Sequence, residues 1–162
     1  MKRSRPKPDA DPAAEANGAR ACAVRLLARR EHSSLELRRK LGDRGFPHDL
    51  IQSLLAELAA EGLQSDARFA EQYVRSRAER GFGPVRIEAE LRERGIEDAL
   101  VREHLDQGEW DWLAQADAAR CKRFGAVLPQ EWNDRARQAR FLQTRGFGRE
   151  HMGALFGAGG SE

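Results

Sequence analysis

One helix-end pattern occurs three times in this chain at nearly equal intervals. The segment LGDRGF at 41–46 reads as a leucine that closes an apolar stripe, a glycine suited to a left-handed cap, and an apolar residue that turns back onto the helix. The pattern returns as LRERGI at 91–96 and as LQTRGF at 142–147. The capping glycines, 50 and 51 residues apart, are Gly45, Gly95 and Gly146. This spacing predicts a structural repeat.

Apolar residues keep the same register when the chain is shifted by 50 residues. The matched pairs are Val24 and Val74, Leu35 and Val85, Leu37 and Ile87, Leu41 and Leu91, Leu50 and Leu100, Ile51 and Val101, and Leu55 and Leu105. Helix starts also match in kind, because Ser33 and Glu36 form a capping box, Ser65–Asp66 suits the start of a fourth helix, and Gly83–Pro84 opens a fifth. The apolar spacing within each period favours three helices.

The third period is looser than the first two. With a shift of 51 residues, the aligned pairs are Leu91 and Leu142, Val101 and Met152, Leu105 and Phe156, and Ile87 and polar Gln138. We expect helices near 109–124 and from Pro129 to Gly146, followed by a short last one. A degenerate terminal repeat is one interpretation, since a terminal repeat needs a neighbour on only one side. An unrelated helical hairpin is the other.

These observations predict an all-α protein of three tandem three-helix repeats that form an elongated, curved array. The expected divisions are a disordered, basic and Pro-rich tail at 1–16, repeats at 17–64, 65–108 and 109–157, and a flexible C-terminus at 158–162. The composition agrees, because 40% of the residues are hydrophobic, 33% are charged and only 7% are aromatic.

The cysteines and the hydropathy pattern indicate the cellular compartment of the protein. Cys22 and Cys121 lie far apart in sequence, neither belongs to a CxxC motif, and no secretory apolar segment precedes them. No apolar run approaches the roughly 18–20 residues that a membrane-spanning helix requires. We therefore expect a cytoplasmic protein with reduced thiols and no membrane association.

The sequence offers no recognisable catalytic arrangement. The four histidines are scattered and none forms an HExxH pair: His32, His48, His104 and His151. Cys121 lies among cations in RCKRF, but no histidine partner is evident for it. A GxxxxGK[ST] loop is missing, and the GFG at 81–83 lacks a preceding strand. We expect no enzyme, no cofactor and no metal.

The net charge of +2 is small, but it is unevenly distributed. Residues 1–64 carry 12 Lys and Arg against 9 Asp and Glu, and the cations gather on the first and second helices of the repeats. The candidate partner-binding residues are Arg25, Arg29, Arg30, Arg38, Arg39, Lys40, Tyr73, Arg75, Arg77, Arg86 and Arg92. Each arginine alone is explained by pairing with a nearby carboxylate. As a set on equivalent helices, they favour one surface for an acidic, elongated partner.

A DNA-reading helix–turn–helix is the alternative for LELRRKLGDRGFPHDLIQSLLAEL. The supposed recognition helix would present His48, Asp49, Gln52, Ser53, Glu57 and Glu61, and its counterpart Glu97, Asp98, Arg102, Glu103 and Asp106. Phosphates repel such acidic faces, so these helices are poor candidates for the major groove.

Three segments of the chain resemble the RecX family of bacterial regulatory proteins. RREHSSLELRRKL lies in the first repeat and SDARFAEQYVRSRAERGFGPVRIEAELRERGI in the second, with a weaker third repeat after them. The positions that fall where the family motif places them are Asp66, Phe69, Ala70, Tyr73, Arg77, Gly81, Ile87, Leu91, Gly95 and Ile96. The likeness spans about residues 19–157.

The resemblance implies a non-catalytic regulator of DNA repair, homologous recombination and the SOS response. Such a protein would act as a monomer that binds the RecA filament on single-stranded DNA and inhibits its recombinase, ATPase and coprotease activities. The partners implied are the RecA filament and the single-stranded DNA backbone within it. A helical protein that binds DNA directly and competes for it remains the alternative, and a helical scaffold for an unrelated protein is a third.

Overall fold

The computed structural model describes residues 11–106 and 110–157, which form nine α-helices and no strand. In chain order these helices are α1 (Pro12–Leu27), α2 (Ser34–Asp43), α3 (His48–Ala60), α4 (Asp66–Glu79), α5 (Pro84–Glu93), α6 (Asp98–Asp106), α7 (Trp112–Phe124), α8 (Trp132–Arg145) and α9 (Arg149–Phe156). The all-α prediction is confirmed. The residues predicted as the start of the tail, 1–10, and as the flexible C-terminus, 158–162, lie outside the described residues.

The chain divides into two compact units, Met1–Phe69 and Ala70–Glu162. In the first unit α1, α2 and α3 pack against one another in pairs. Their shared core contains Ala19, Cys22, Ala23, Leu37, Leu41, Ile51, Leu54, Leu55 and Leu58. In the second unit α5 packs on α6, and α7, α8 and α9 enclose a smaller core centred on Ala116, Leu142 and Phe147.

The three repeated glycines end their helices with the same hydrogen bonds. Gly45, Gly95 and Gly146 all have positive φ, of 86°, 78° and 94°. In each case the glycine N–H bonds the carbonyl three residues earlier, and the following apolar residue bonds the leucine carbonyl five residues before it, at 3.1–3.3 Å. These are Schellman motifs. The repeated pattern in the sequence therefore marks one local structure built three times.

Burial follows the 50-residue register at the centre of the helices. The matched pairs that are buried on both sides are Leu37 and Ile87, Leu41 and Leu91, Ile51 and Val101, and Leu55 and Leu105. Val24 and Val85 depart from the register because they are 40% and 55% exposed, on the solvent side of their helices. In the third repeat Gln138 is only 5% exposed, so a polar side chain takes the core position that Ile87 holds in the second.

Truncating a leucine at the helix end should destabilise each unit. Leu41 and Leu91 are both 0% exposed, so Leu41→Ala or Leu91→Ala removes apolar contacts and leaves a cavity. We expect a loss of roughly 2–5 kcal/mol in the free energy of unfolding. Urea denaturation followed by circular dichroism measures it. A loss below about 0.5 kcal/mol for both variants would contradict the assignment of these leucines to the cores.

The first helix begins earlier than predicted. The sequence predicts a disordered tail through residue 16, but α1 starts at Pro12. The side chain of Asp11 accepts a hydrogen bond from Ala13 N at 3.1 Å, and proline suits the first helical position because its missing N–H would have no helical partner. The alanines that follow are strong helix formers, so the helix extends through the segment read as tail.

The helix starts in the last repeat lie later than predicted. The second of its helices begins at Trp132 rather than at Pro129. The Pro129 carbonyl accepts a hydrogen bond from the Arg135 side chain at 3.1 Å, and Glu131 is in an extended conformation with ψ of 142°. The segment before Trp132 is therefore held as a loop. Similarly, α7 begins at Trp112, where Asp111 caps Ala114 N at 2.9 Å.

Candidate partner-binding surface

The first unit presents cations that make no ion pair with the described residues. Arg38 and Arg39 are adjacent and exposed on α2, and no side-chain hydrogen bond or ion pair holds either of them within the described part of the chain. The same is true of exposed Arg25 in the last turn of α1, of exposed Arg29 just after that helix, and of half-buried Lys40. These five side chains keep their charge available to an acidic partner.

Arg30 differs from its neighbours in the first unit. Its Nη1 donates to Glu36 Oε2 at 2.9 Å and to the Glu31 carbonyl at 2.7 Å. Glu31 itself pairs with Arg68 Nε at 2.9 Å. Arg30 therefore helps to fix the segment that links α1 to α2. This is the pairing with a nearby carboxylate that the sequence offers as the alternative to partner binding.

A polar cluster joins that segment to the start of α4. Asp66 Oδ1 accepts from Ser34 N and from Gln64 Nε2, both at 2.9 Å, and Gln64 Nε2 also bonds the His32 carbonyl at 3.3 Å. The predicted capping role of Ser65 is confirmed, because its Oγ accepts from Arg68 N at 3.2 Å. Burial lowers the pKa of His32, with the Arg30 charge acting in the same direction.

Arg75 and Arg92 lie on the surface with carboxylate partners. Arg75 pairs with Glu71 at 3.4 Å, one helical turn away. Arg92 contacts Glu88 at 2.6 Å and Asp98 at 2.8 Å, so it links α5 to the start of α6. Exposed pairs of this kind contribute little to stability. For these two residues the structure favours pairing within the chain.

Tyr73, Arg77 and Arg86 converge on one carboxylate, that of Glu90. Tyr73 Oη donates to Glu90 Oε2 at 2.8 Å, and Arg77 Nε contacts the same oxygen at 2.8 Å. Arg86 Nε donates to Glu90 Oε1 at 3.0 Å. Arg77 Nε also donates to Tyr73 Oη at 3.2 Å. The cluster ties α4 to α5 and uses three predicted partner-binding residues for this internal contact.

Burial and hydrogen bonding together set the pKa values of Glu90 and Tyr73 in this cluster. Burial disfavours the charged form of Glu90, but hydrogen bonds from Tyr73 and Arg86 outweigh it, so the pKa of Glu90 is lowered. Burial, together with the hydrogen bond to Glu90, raises the pKa of Tyr73. Both effects keep Glu90 ionised and Tyr73 neutral as a donor at neutral pH.

Phe82 is the centre of a second group of arginines that sequence reasoning missed. The guanidinium carbons of Arg77, Arg86 and Arg145 lie 5.0, 4.5 and 4.9 Å from the centre of its ring. Arg94 stacks in the same way over Tyr73, at 4.8 Å. Cation–π contacts of this kind hold arginines in fixed positions. The only signal in the sequence is a phenylalanine between two glycines.

The start of α5 is hydrogen-bonded to the end of α8. Gly83 N donates to the Arg145 carbonyl at 2.8 Å, and Val85 N donates to the Gly146 carbonyl at 3.0 Å. Arg86 Nη1 adds a bond to the Thr144 carbonyl at 3.4 Å. The backbones approach so closely that a Cβ on Gly83 would lie about 2.6 Å from Phe147 N. This contact, the α5–α8 junction, joins the second and third repeats.

Arg120 is the largest fully buried side chain among the described residues, at 1% exposure. Its guanidinium donates to the carbonyls of Gly125, Ala126 and Val127 at 3.1–3.3 Å, and its Nε pairs with Asp117 at 2.8 Å. The arginine thereby fixes the loop between α7 and α8. The sequence predicted only a helix here, because periodicity does not show which arginine turns inward.

Removing this arginine should loosen the loop and lower stability. Arg120→Met keeps most of the side-chain volume but takes away four charge-assisted hydrogen bonds, three to carbonyls and one to Asp117, and we expect a loss of about 2 kcal/mol. Urea denaturation followed by tryptophan fluorescence measures it. Lys122→Met, at an exposed neighbouring position, is the matched control and should change stability little. Equal effects from the two variants would show that the Arg120 contacts do not stabilise the fold.

The two helices considered for DNA reading keep their polar faces in solvent. Along α3 the exposed residues include Asp49 and Glu57, and exposed Glu61, directly after the helix, pairs with Arg20 of α1. Along α6 they include Asp98, which pairs with Arg92, and Glu103. Both exposed faces therefore carry the predicted acidic residues, which repel the phosphates of DNA.

Consecutive three-helix segments, repeated Schellman ends and exposed cations define a helical-repeat protein. Family models agree segment by segment: the first, second and third three-helix domains of RecX match residues 19–58, 65–105 and 109–152. The chain belongs to the RecX family of regulatory proteins. The match to the third domain also decides against an unrelated helical hairpin at the C-terminal end.

Named relatives agree with this family, and a solved structure has the same fold. The regulatory protein RecX of Halorhodospira halophila is 50% identical over 145 residues, which is 90% of each chain. That of Pseudomonas entomophila is 44% identical over 136 residues, 84% of this chain and 88% of the relative. The crystal structure of RecX from Lactobacillus salivarius superposes with a TM-score of 0.75 at 21% identity, over 88% of this chain and 95% of that one. Within the described ranges, no helix is both long and apolar enough to cross a membrane.

Proposed function

We propose that this protein binds the RecA filament on single-stranded DNA and inhibits recombination, ATP hydrolysis and coprotease action without catalysing a reaction. The observation that carries the proposal is a set of cations in the first unit that have no ion pair among the described residues, in a member of the RecX family: Arg25, Arg29, Arg38, Arg39 and Lys40. Such charges suit an acidic filament surface. Acting in the cytoplasm as a monomer, the protein would need no cofactor for this role.

Three consecutive domains favour a partner with repeated subunits. Several weak contacts on neighbouring subunits raise the overall affinity because each later contact is intramolecular. Inhibition follows when the bound protein blocks subunit addition or prefers an inactive filament geometry. The second mechanism requires a difference in affinity between the two filament states.

We rank the predicted partner-binding residues by the contacts that they make within the chain. The cations of the first unit that have no ion pair among the described residues remain our candidates for the filament contact. Tyr73, Arg77 and Arg86 contact Glu90, and the two arginines also lie over the Phe82 ring, so we assign all three to positioning α4 and α5. Arg30, Arg75 and Arg92 have carboxylate partners that an acidic partner would have to replace.

The proposal is tested by RecA ATP hydrolysis on single-stranded DNA while this protein is titrated in at substoichiometric ratios. Direct DNA binding is measured in parallel at the same salt concentration. Inhibition far below the concentration that covers the DNA would support regulation of the filament. Inhibition only at DNA saturation would instead support the direct DNA-binding alternative, whose affinity falls steeply with salt. No inhibition at any ratio would contradict both and favour a scaffold for another partner.

A further inference from the structure

A groove of about 310 Å³ lies in the second unit, between the C-terminal end of α4 and the helices α7 and α8. Its apolar lining comes from the methyl groups of Ala78, Ala118 and Ala119 and from the ring of Phe141. Ala118 is exposed and Ala119 is half-buried, so the groove opens to solvent. The volume suits one large apolar side chain with the backbone on either side of it.

Cations surround this apolar lining. Arg80, Lys122 and Arg123 line the groove and are exposed, and none of them pairs with a carboxylate within the described residues. Arg145 completes the set, but it is held by the Arg80 carbonyl at 3.2 Å and by the Phe82 ring. Glu79 is the single carboxylate in the lining. The groove therefore has a net positive rim around an apolar floor.

We propose that this groove binds an acidic segment of a partner protein that inserts one large apolar side chain. Carboxylates on either side of the inserted residue would meet Arg80, Lys122 and Arg123, and charge-assisted hydrogen bonds of this kind are the strong ones. The apolar side chain would cover the alanine methyl groups and lose water in doing so. This inference goes beyond the proposed function, because it does not depend on which protein supplies the segment.

The lining favours a peptide over single-stranded nucleic acid. Stacking of bases needs a free aromatic face. Phe141 offers none, because its ring meets Phe124 edge to face at 5.3 Å and the Arg145 guanidinium lies 5.3 Å from its centre. The rest of the floor is alanine, which packs against aliphatic groups and provides no stacking surface.

The test is fluorescence polarisation with a labelled peptide in which acidic residues flank a central leucine. Ala118→Leu fills the groove from an exposed helical position, and Lys122→Gln/Arg123→Gln removes two charges from its rim. We expect each variant to weaken peptide binding about tenfold or more. The matched controls are Ala114→Leu, one turn earlier on α7, and Arg140→Gln, an exposed cation of α8 outside the groove. Both controls should bind as the unmodified protein does.

Three results would overturn the inference. The first is peptide binding that is unchanged by Ala118→Leu and by the charge variant, and the second is no peptide binding to the unmodified protein. The third is an oligothymidylate that binds more tightly than the peptide and is lost in both groove variants, which would assign the groove to nucleic acid. Because RecA is absent from these measurements, their failure is distinct from failure of the proposed function.

Discussion

Gly146→Ala is expected to lower the free energy of unfolding by about 4 kcal/mol. Two effects add at this position. Gly146 has a φ of 94°, which an L side chain adopts only with strain, and a new Cβ would lie 2.6 Å from Arg86 N and closer still to Arg86 Cβ. The new Cβ would clash with backbone atoms of Arg86, so the clash can be relieved only if the α5–α8 junction opens. Loss of this junction would separate the second and third repeats.

Gly45→Ala is the matched control for this experiment. Gly45 ends α2 with the same Schellman motif and a φ of 86°, but no atom of the residues that the structure describes lies within 4 Å of the position that a Cβ would take. Its substitution carries the backbone strain alone, and we expect a cost of about 1–2 kcal/mol. Urea denaturation followed by circular dichroism compares the two variants. Tryptophan fluorescence reports the second unit separately, because all three tryptophans lie there.

Equal destabilisation by the two substitutions would contradict the close approach at the α5–α8 junction. The difference between them is the informative quantity, because both glycines share the same local conformation. A difference of about 2 kcal/mol or more would show that the repeated glycine has acquired a second role in the third repeat.

Local signals in the sequence predicted the local structure well. The helix ends at Gly45, Gly95 and Gly146 and the buried leucines before them follow from adjacent residues, and short-range patterns specify such features. The prediction of a tail through residue 16 is wrong for the start of α1. Proline and charge in this segment are typical of a tail, but Asp11 and Pro12 are themselves a helix start signal.

Contacts between residues far apart in the chain could not be predicted from the sequence. Gly83 and Gly146 meet across 63 positions of the chain, and nothing near either residue specifies the other. Likewise, nothing in the sequence distinguishes Arg77 from Arg39, yet Arg77 is held by Glu90 and Phe82, while Arg39 is exposed and has no partner in the described part of the chain. Whether an arginine pairs within the chain depends on the residues of the neighbouring helix. The structure is therefore needed to separate the paired arginines of the candidate site from the exposed ones.

Arg38→Glu/Arg39→Glu is expected to raise the concentration needed for half-inhibition of RecA ATP hydrolysis by about tenfold or more. Both side chains are exposed on α2, without partners among the described residues, so their reversal removes two attractive charges and adds two repulsive ones. Arg86 is left unchanged, because it bonds Glu90 and the Thr144 carbonyl and its reversal would disturb the α5–α8 junction. Circular dichroism checks that the helices remain.

Arg140→Glu/Arg149→Glu is the control for this change in net charge. Both residues are exposed, neither has an ion pair within the described ranges, and both lie outside the candidate surface on α1 and α2. If inhibition falls equally in the two double variants, the change in net charge explains the loss, and α2 does not contact the filament. If DNA binding falls in parallel with inhibition only for Arg38→Glu/Arg39→Glu, the same cations bind phosphates, and competition for DNA becomes the better account. Retained DNA binding with lost inhibition would instead place these two arginines against the filament protein itself.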